Sequence, residues 1–334
     1  MSVNGDGGAS SVYPGDLGGV AADPRSIGGS LVIFSSRESD AVLHANVSAL
    51  RGALPPDMQV VILVNGNGAL VGQLRRRLAV EPPPFPVSLW EIPHGDKANA
   101  WNQYVHAIWQ GESLVCFIDG YVTLPPLAIA RLAEAVEAGG AHVLGGTGQP
   151  SIGRGSAALR ERMRQEGGFH GNFCCLKGST IAAMRARGLR LPVGLYRTDS
   201  LMGAFLSFGL HPESSPWDPS RIAVADDATW LLPKKQWWRP GDVKGQIKRV
   251  LRQGRGRVEN AAVKFFLATR HQPIDSLPAT ARALALAWQT RAPQEVEALL
   301  RADALNRRGW RELLDQQEPV PQTLAPRLVW RTAA

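Results

Sequence analysis

The sequence predicts an α/β protein in which a mostly parallel sheet is flanked by helices and followed by a helical extension. Three features of the chain point there. Short unbroken apolar runs at 31–34, 60–64 and 114–118, with a mostly apolar strand candidate at 87–92, alternate with stretches whose apolar residues recur every three or four positions. Three of those runs stop at polar or glycine-containing turns: Ser35-Ser36-Arg37-Glu38, Asn65-Gly66-Asn67-Gly68 and Asp119-Gly120-Tyr121. Strand and helix alternating in this way implies crossover connections, which leave neighbouring strands parallel. Beyond residue 240 the periodicity is helical.

Taken in order, Leu31-Val32-Ile33-Phe34 is a strand, and Val42, Leu43, Val47 and Leu50 then mark one face of a helix. Val60 to Val64 is a second strand, followed by a helix with Leu70, Leu74 and Leu78 inside and Arg75, Arg76 and Arg77 outside. A third strand covers 87–92. After His94-Gly95-Asp96-Lys97, residues Ala100, Tyr104, Ala107 and Ile108 keep helical spacing, and 114–118 is a buried strand. Pro125-Pro126 sets up a helix over 127–138. Farther on, 142–144 reads as a short strand, 145–155 as a loop with five glycines, 157–165 as a charged helix and 169–176 as a strand. Helices are expected at 179–187 and 199–208. Past Pro240, Val243, Ile247, Val250 and Leu251 at i, i+4, i+7 and i+8 make an amphipathic helix whose other side is Lys244, Lys248, Arg249 and Arg252. Two or three helices complete 260–334, with Leu284, Trp288, Val296, Leu299 and Leu300 as core candidates. The division expected is a Gly-rich flexible tail at 1–29, a sheet domain at 30–235 and a basic helical extension at 236–334.

At 334 residues with 44% hydrophobic content the chain buries a full-sized core. Its three cysteines, Cys116, Cys174 and Cys175, form no zinc spacing and no disulfide framework, which fits a reducing, cytoplasmic setting. The N-terminus lacks the basic and apolar regions of a signal peptide, and no apolar run approaches the ~20 residues that cross a bilayer. The formal charge is +8. Residues 234–257 hold nine Lys or Arg against one Asp, a block suited to phosphates or an anionic membrane, or to a solvated helix face. Attachment to the inner face of a membrane is one expectation. Only Trp237 and Trp238 offer stacking surfaces there, which counts against nucleic acid.

The chemistry centres on residues 94–126. Asp119 lies just past the carboxyl end of a strand, the edge where ligands bind in open α/β sheets. Lys97 opens the preceding helix, where the dipole gives a cation no benefit, so a functional reason such as an anionic ligand is favoured over an ordinary surface lysine. Asp119 also suits a turn or cap, Asn65-Gly66 suits a tight turn, and Asp199 suits a helix N-cap. Asp226-Asp227 is a competing acid pair, expected in a turn before Trp230. His170, in Gly168-Phe169-His170-Gly171-Asn172, falls in a segment suited to meeting a ligand.

Four segments resemble family 2 glycosyltransferases, and the resemblance covers roughly 31–257. These are the polar ends of the first two strands, Lys97-Ala98-Asn99-Ala100-Trp101-Asn102 beside the family's Gly-Lys-x-x-Ala-x-Asn, and Asp119-Gly120-Tyr121 with Pro125-Pro126 beside its Asp-x-Asp and paired prolines. Asp96 stands where the family has Gly. The resemblance implies the GT-A (Rossmann-like) fold and an inverting transfer of a sugar from a nucleotide-diphosphate donor to an acceptor hydroxyl, saccharide, lipid-linked or small. It also implies a place in cell-envelope or exopolysaccharide biosynthesis. It assigns Ser35, Arg37, Glu38, Asn65, Lys97 and Asp119 to the donor, and Asp199, in Thr198-Asp199-Ser200-Leu201, to the role of base. Gln246 and Arg249 would match a Gln-x-x-Arg segment at the diphosphate. A Mg²⁺ or Mn²⁺ ion at Asp119 is implied too. Tyr121, however, replaces the second acid, so the expectation is a metal held weakly or not at all, with cationic side chains in its place. The rival reading is a GT-A-like domain that has lost turnover and binds a nucleotide or anionic partner, suggested by Tyr121 and by Thr198 in place of an acid.

Overall fold

The computed structural model describes residues 28–151, 156–166, 168–233, 240–317 and 325–332. Residues 1–27 of the tail expected over 1–29 and the pair Trp237-Trp238 lie outside the described residues.

The first half alternates as its periodicity requires: β1 (Gly29–Ser35), α1 (Asp40–Ala49), β2 (Met58–Asn65), α2 (Gly68–Val80), β3 (Val87–Ile92), α3 (Lys97–Gln103), β4 (Leu114–Asp119) and α4 (Ala128–Ala138). Helix α3 runs on as a π-helical turn over Tyr104–Ile108. Then come β5 (Gly145–Pro150), α5 (Ser156–Glu166), β6 (Phe173–Lys177), α6 (Gly178–Ala186), α7 (Thr198–Ser207) and β7 (Ile222–Trp230). The C-terminal part holds α8 (Pro240–Lys264), α9 (Ala281–Arg291), α10 (Pro293–Ala302), α11 (Ala304–Leu314) and β8 (Arg327–Arg331).

The eight strands form one sheet in the order β7-β5-β6-β4-β1-β2-β3-β8. Strand β1 pairs in parallel with β2 and β4, β2 with β3, and β5 with β7, whereas β6 runs antiparallel to β4 and β5. Side chains alternate across the sheet with period two. On one face Leu31, Ile33, Val60 and Ile62 pack with Leu43, Leu70, Leu74 and Leu132 of the helices. On the other, Val32, Phe34, Val61 and Leu63 join Trp101, Tyr104, Phe117 and Phe205. That second core continues without a break into the C-terminal helices through Val258, Phe266, Leu284, Trp288, Val296 and Leu313. Leu299 and Leu300 are only partly buried against it. The three cysteines are free and buried.

Four sequence expectations are corrected. The strand placed at 142–144 is instead β5, inside the run taken for a glycine loop, and every residue of Gly-Gly-Thr-Gly-Gln-Pro is buried. Its glycines are a packing requirement: a Cβ on Gly145 would lie 2.4 Å from the Cys175 carbonyl oxygen, and one on Gly148 would lie 2.5 Å from the Phe173 ring. Asp226-Asp227 does not form a turn; it lies within β7, where the register against β5 shifts between Thr147 and Gln149. Helix α7 begins at Thr198 after the cap residue Arg197, so Asp199 belongs to its first turn and is not its N-cap. Lastly, the C-terminal extension is not wholly helical. Strand β8 returns to pair antiparallel with β3, closing an edge that would otherwise expose unpaired N–H and C=O groups.

Candidate active site

The carboxyl ends of β1, β2, β3 and β4 meet at one edge, and their loops are knit together by side chains. Glu38 gathers the β1–α1 turn: one carboxylate oxygen accepts from Ser35 Oγ at 2.7 Å, Ser36 N at 3.0 Å and Arg37 N at 3.1 Å. Asn65 and Asn67 donate to the carbonyls of Ser35 (2.9 Å) and Ser36 (2.8 Å), and Asn67 also caps α2. Gly66, with φ +65°, lies so close to Gly95 that a Cβ would meet the Gly95 Cα at 2.3 Å. Of the donor residues expected from sequence, Ser35, Glu38 and Asn65 therefore shape the turns around the edge. Arg37 is exposed.

The next loop ends at Asp96, which caps α3 through Asn99 N at 2.7 Å and also accepts from Gly194 N at 3.1 Å. Burial raises its carboxyl above the usual range in spite of those bonds. With the cap in place, Lys97 projects from the first turn of α3 over the Phe34 ring, 5.4 Å from its centroid. Its ammonium forms an ion pair with Asp119 Oδ1 at the end of β4. Burial alone would make Lys97 a weaker base, but the charge and hydrogen bond of Asp119 and the charge of Asp199 outweigh it, and its pKa is raised. Lys97 is thus a fixed cation. Beneath it Phe34, Trp101, Tyr104 and Phe117 form an aromatic floor, with Trp101 and Phe117 centroids 4.0 Å apart.

The other Asp119 oxygen accepts from Tyr121 Oη at 2.7 Å, and Tyr121 also reaches Asn172 Oδ1 at 3.2 Å. A phenol has one proton, so the shorter contact to the carboxylate is the dominant one. Burial first, then Asp119 and Glu38, hold the Tyr121 pKa far above its ordinary value, and the phenol stays a donor. Both Asp119 oxygens are therefore engaged by protein donors. Among the described residues no group of three or more His, Cys, Asp and Glu side chains converges as a metal site. Octahedral Mg²⁺ or Mn²⁺ wants free hard oxygens, and a single carboxylate held by an ammonium and a phenol does not fit a protein-made site for either.

The opposite wall comes from the segment before β6 and the start of α7. Asp199 Oδ1 accepts from Ser200 N at 3.0 Å and Oδ2 from Gly171 N at 3.4 Å. Gly171 sets the width here: an added Cβ would sit 3.5 Å from both Lys97 Nζ and Asp199 Oδ2. Next to it, His170 Nδ1 accepts from Asn172 N at 3.2 Å, which leaves the proton on Nε2, and its ring lies on Trp230 with centroids 5.0 Å apart. Burial lowers the His170 pKa more than the nearby acids raise it, so the ring is neutral at pH 7. Arg249 of α8 is close enough for its charge to act on both Tyr121 and His170. Gln246 is exposed one turn earlier.

The structure thus brings Lys97, Asp119 and Asp199 together, with Arg249 nearby. It adds Gly171 and Asn172, which the sequence offered only as neighbours of His170, and, farther back, Glu259, which did not stand out there. Glu259, 2% exposed, accepts from the backbone N–H groups of Tyr196 (2.9 Å) and Arg197 (3.1 Å) and pairs with Arg255 at 2.8 Å. It serves as an external cap for α7, whose cap residue Arg197 makes no side-chain hydrogen bond of its own. A glycine between two polar residues, as in His170-Gly171-Asn172, was the one signal available for that wall.

No protein-family model and no curated protein sequence matches the chain. Among solved structures, the mannosyltransferase of Pyrobaculum calidifontis, determined with GDP-mannose and Mn²⁺, superposes with a TM-score of 0.50 at 16% identity. The match covers 86% of this chain and 83% of that one. Glucosyl-3-phosphoglycerate synthase of Mycobacterium tuberculosis superposes with a TM-score of 0.47 at 14% identity, over 71% of this chain and 78% of that one.

Proposed function

From the GT-A fold that the chain has, we propose that it transfers a sugar from a nucleoside-diphosphate donor to an acceptor hydroxyl with inversion. The observation that carries this reading is the fixed Lys97 ammonium held between Asp119 and Asp199 at the carboxyl edge of the sheet. Asp199 is the base. Its two backbone hydrogen bonds orient the carboxylate and leave lone pairs free to take the acceptor proton. The acceptor oxygen then attacks the anomeric carbon from the face opposite the leaving group. The bond from that carbon to the phosphate oxygen breaks, and its electron pair leaves with the nucleoside diphosphate. Negative charge building there is met by the positive charges of Lys97 and Arg249, Lys97 exchanging its Asp119 partner for a phosphate oxygen.

The supporting experiment is a panel of nucleotide sugars scored for nucleoside diphosphate release, with NMR assignment of the product's anomeric configuration. Release with an inverted product is expected. Retention of configuration would remove Asp199 from the role of base, and no release or binding across the panel would sink the proposal. Nucleotide binding without turnover would instead favour the rival reading, a binding domain in which Lys97 and Tyr121 have locked Asp119.

A further inference from the structure

Helix α8 carries one apolar stripe along its length: Val243, Ile247, Val250, Gly254 and Val258, at i, i+4, i+7, i+11 and i+15. Its C-terminal part is covered. A Cβ on Gly254 would come within 1.9 Å of the Leu305 carbonyl oxygen at the start of α11, Gly309 of α11 lies against the Arg255 backbone, and Val258 is fully buried. The other side of the helix docks on the segment before α7 through Gly256 against Arg197 and Glu259 on Tyr196. Toward the N-terminus the stripe continues past the start of α11, and there Val243, Ile247 and Val250 are 43%, 56% and 44% exposed. The flanks are basic. From 243 to 258 there are six Lys or Arg and no acid, with Lys244 and Lys248 exposed beside the stripe.

We propose that this exposed part of α8 is a docking surface for an anionic lipid bilayer, with Val243, Ile247 and Val250 entering the headgroup boundary and Lys244 and Lys248 lying on the acidic headgroups. The composition is that of a helix lying in a membrane interface: a narrow aliphatic stripe flanked by cations that can reach the headgroups. A second copy of the chain fits less well, because a two-fold contact through the same stripe would set its cations against their own images. A nucleic acid would satisfy the cations and leave the three aliphatic side chains in water. No helix of the described residues is long and apolar enough to cross a membrane, and contact through α8 is superficial attachment.

The test is co-sedimentation of the full chain with phosphatidylglycerol-rich and with pure phosphatidylcholine vesicles at low and high salt. The variants are Ile247→Glu and the pair Lys244→Gln/Lys248→Gln. All three side chains are exposed, so unchanged melting temperatures are expected, and none belongs to the acid cluster. Wild type is expected to sediment with the anionic vesicles only. The glutamate should weaken that at least about tenfold and the paired change several-fold, with further loss at high salt. An absence of binding to anionic vesicles at low salt overturns the proposal, as does binding that Ile247→Glu leaves unchanged, which would be general electrostatics. A third refuting result is a dimer in sedimentation equilibrium that Ile247→Glu dissociates, since the occupant would then be a second copy. Solvent protection of a fluorophore at Ile247→Cys before vesicles are added would equally refute it, because the chain itself would cover the stripe.

Discussion

Replacing Asp119 by Asn separates a metal-bridged diphosphate from one met directly by Lys97. In the free protein Asp119 neutralises Lys97 and holds Tyr121, with the Asp119 side chain 15% exposed and that of Lys97 30% exposed. Asparagine presents an amide donor or a weaker acceptor to the ammonium, so the partly buried pair is lost. That should cost about 1–3 kcal/mol of stability, well short of the figure for a wholly buried pair. Binding moves in the opposite direction. At an effective dielectric of about 20, two unit charges some 8 Å apart repel by about 2 kcal/mol, and solvent access reduces this to about 1–2 kcal/mol. Removing the carboxylate relieves that repulsion and frees Lys97 for a phosphate, so nucleoside diphosphate affinity in chelator should rise by roughly tenfold. The assay is calorimetric titration of the variant and wild type with a panel of nucleoside diphosphates, in EDTA and again in Mn²⁺. A variant that loses nucleotide affinity in Mn²⁺ while wild type binds well only with the ion would refute the reasoning. In that case Asp119 exchanges Lys97 for a metal when the nucleotide arrives. Lys97→Met in the same assay should weaken binding by about 10–100-fold, the loss of one charge-assisted hydrogen bond.

Three further outcomes follow from the same geometry. Asp199→Asn keeps the side-chain size and one of the two backbone contacts, its single amide oxygen accepting from Ser200 N or Gly171 N but not both, and it removes the basic carboxylate, so single-turnover rates should fall by roughly 10²-fold or more with donor affinity retained; near-normal turnover would move the base elsewhere. Gly171→Ala places a methyl 3.3 Å from the Asp199 Cβ and 3.5 Å from Lys97 Nζ, and rapid-quench rates should drop about tenfold or more while the melting temperature barely moves. Glu259 is buried and its pKa is raised above 4.5 chiefly by that burial, so the folded state holds its proton more tightly than the unfolded chain. Its contribution to stability is therefore fullest below pH 4.5 and is lost as pH rises through the folded value. Thermal melts across pH 4–8 should show wild type losing ground to Glu259→Gln as pH rises, and a flat or opposite difference would refute the assignment.

The sequence by itself determined the first half of the sheet and the edge at which polar chemistry collects. Runs such as Val60 to Val64 are long enough in apolar residues to be buried on both faces, and the stripes Leu70, Leu74, Leu78 and Leu132, Val136 have no other face to turn inward. Local periodicity is sufficient there because each segment's own side chains decide its environment. It failed at β5, where Gly145, Gly146 and Gly148 make a buried strand only because Cys175, Val136 and Phe173 already occupy the space that side chains would need. It failed again at β8, whose partner β3 lies far back in the chain. Lys97 and Asp119 could be nominated from their positions at a helix start and a strand end. That Lys97 is neutralised by Asp119, and that Gly171 narrows the space toward Asp199, depends on crossovers that no local pattern encodes. The same holds for α8: its amphipathic spacing was plain in the sequence, and only the point where α11 begins decides which half of the stripe is covered and which half faces water.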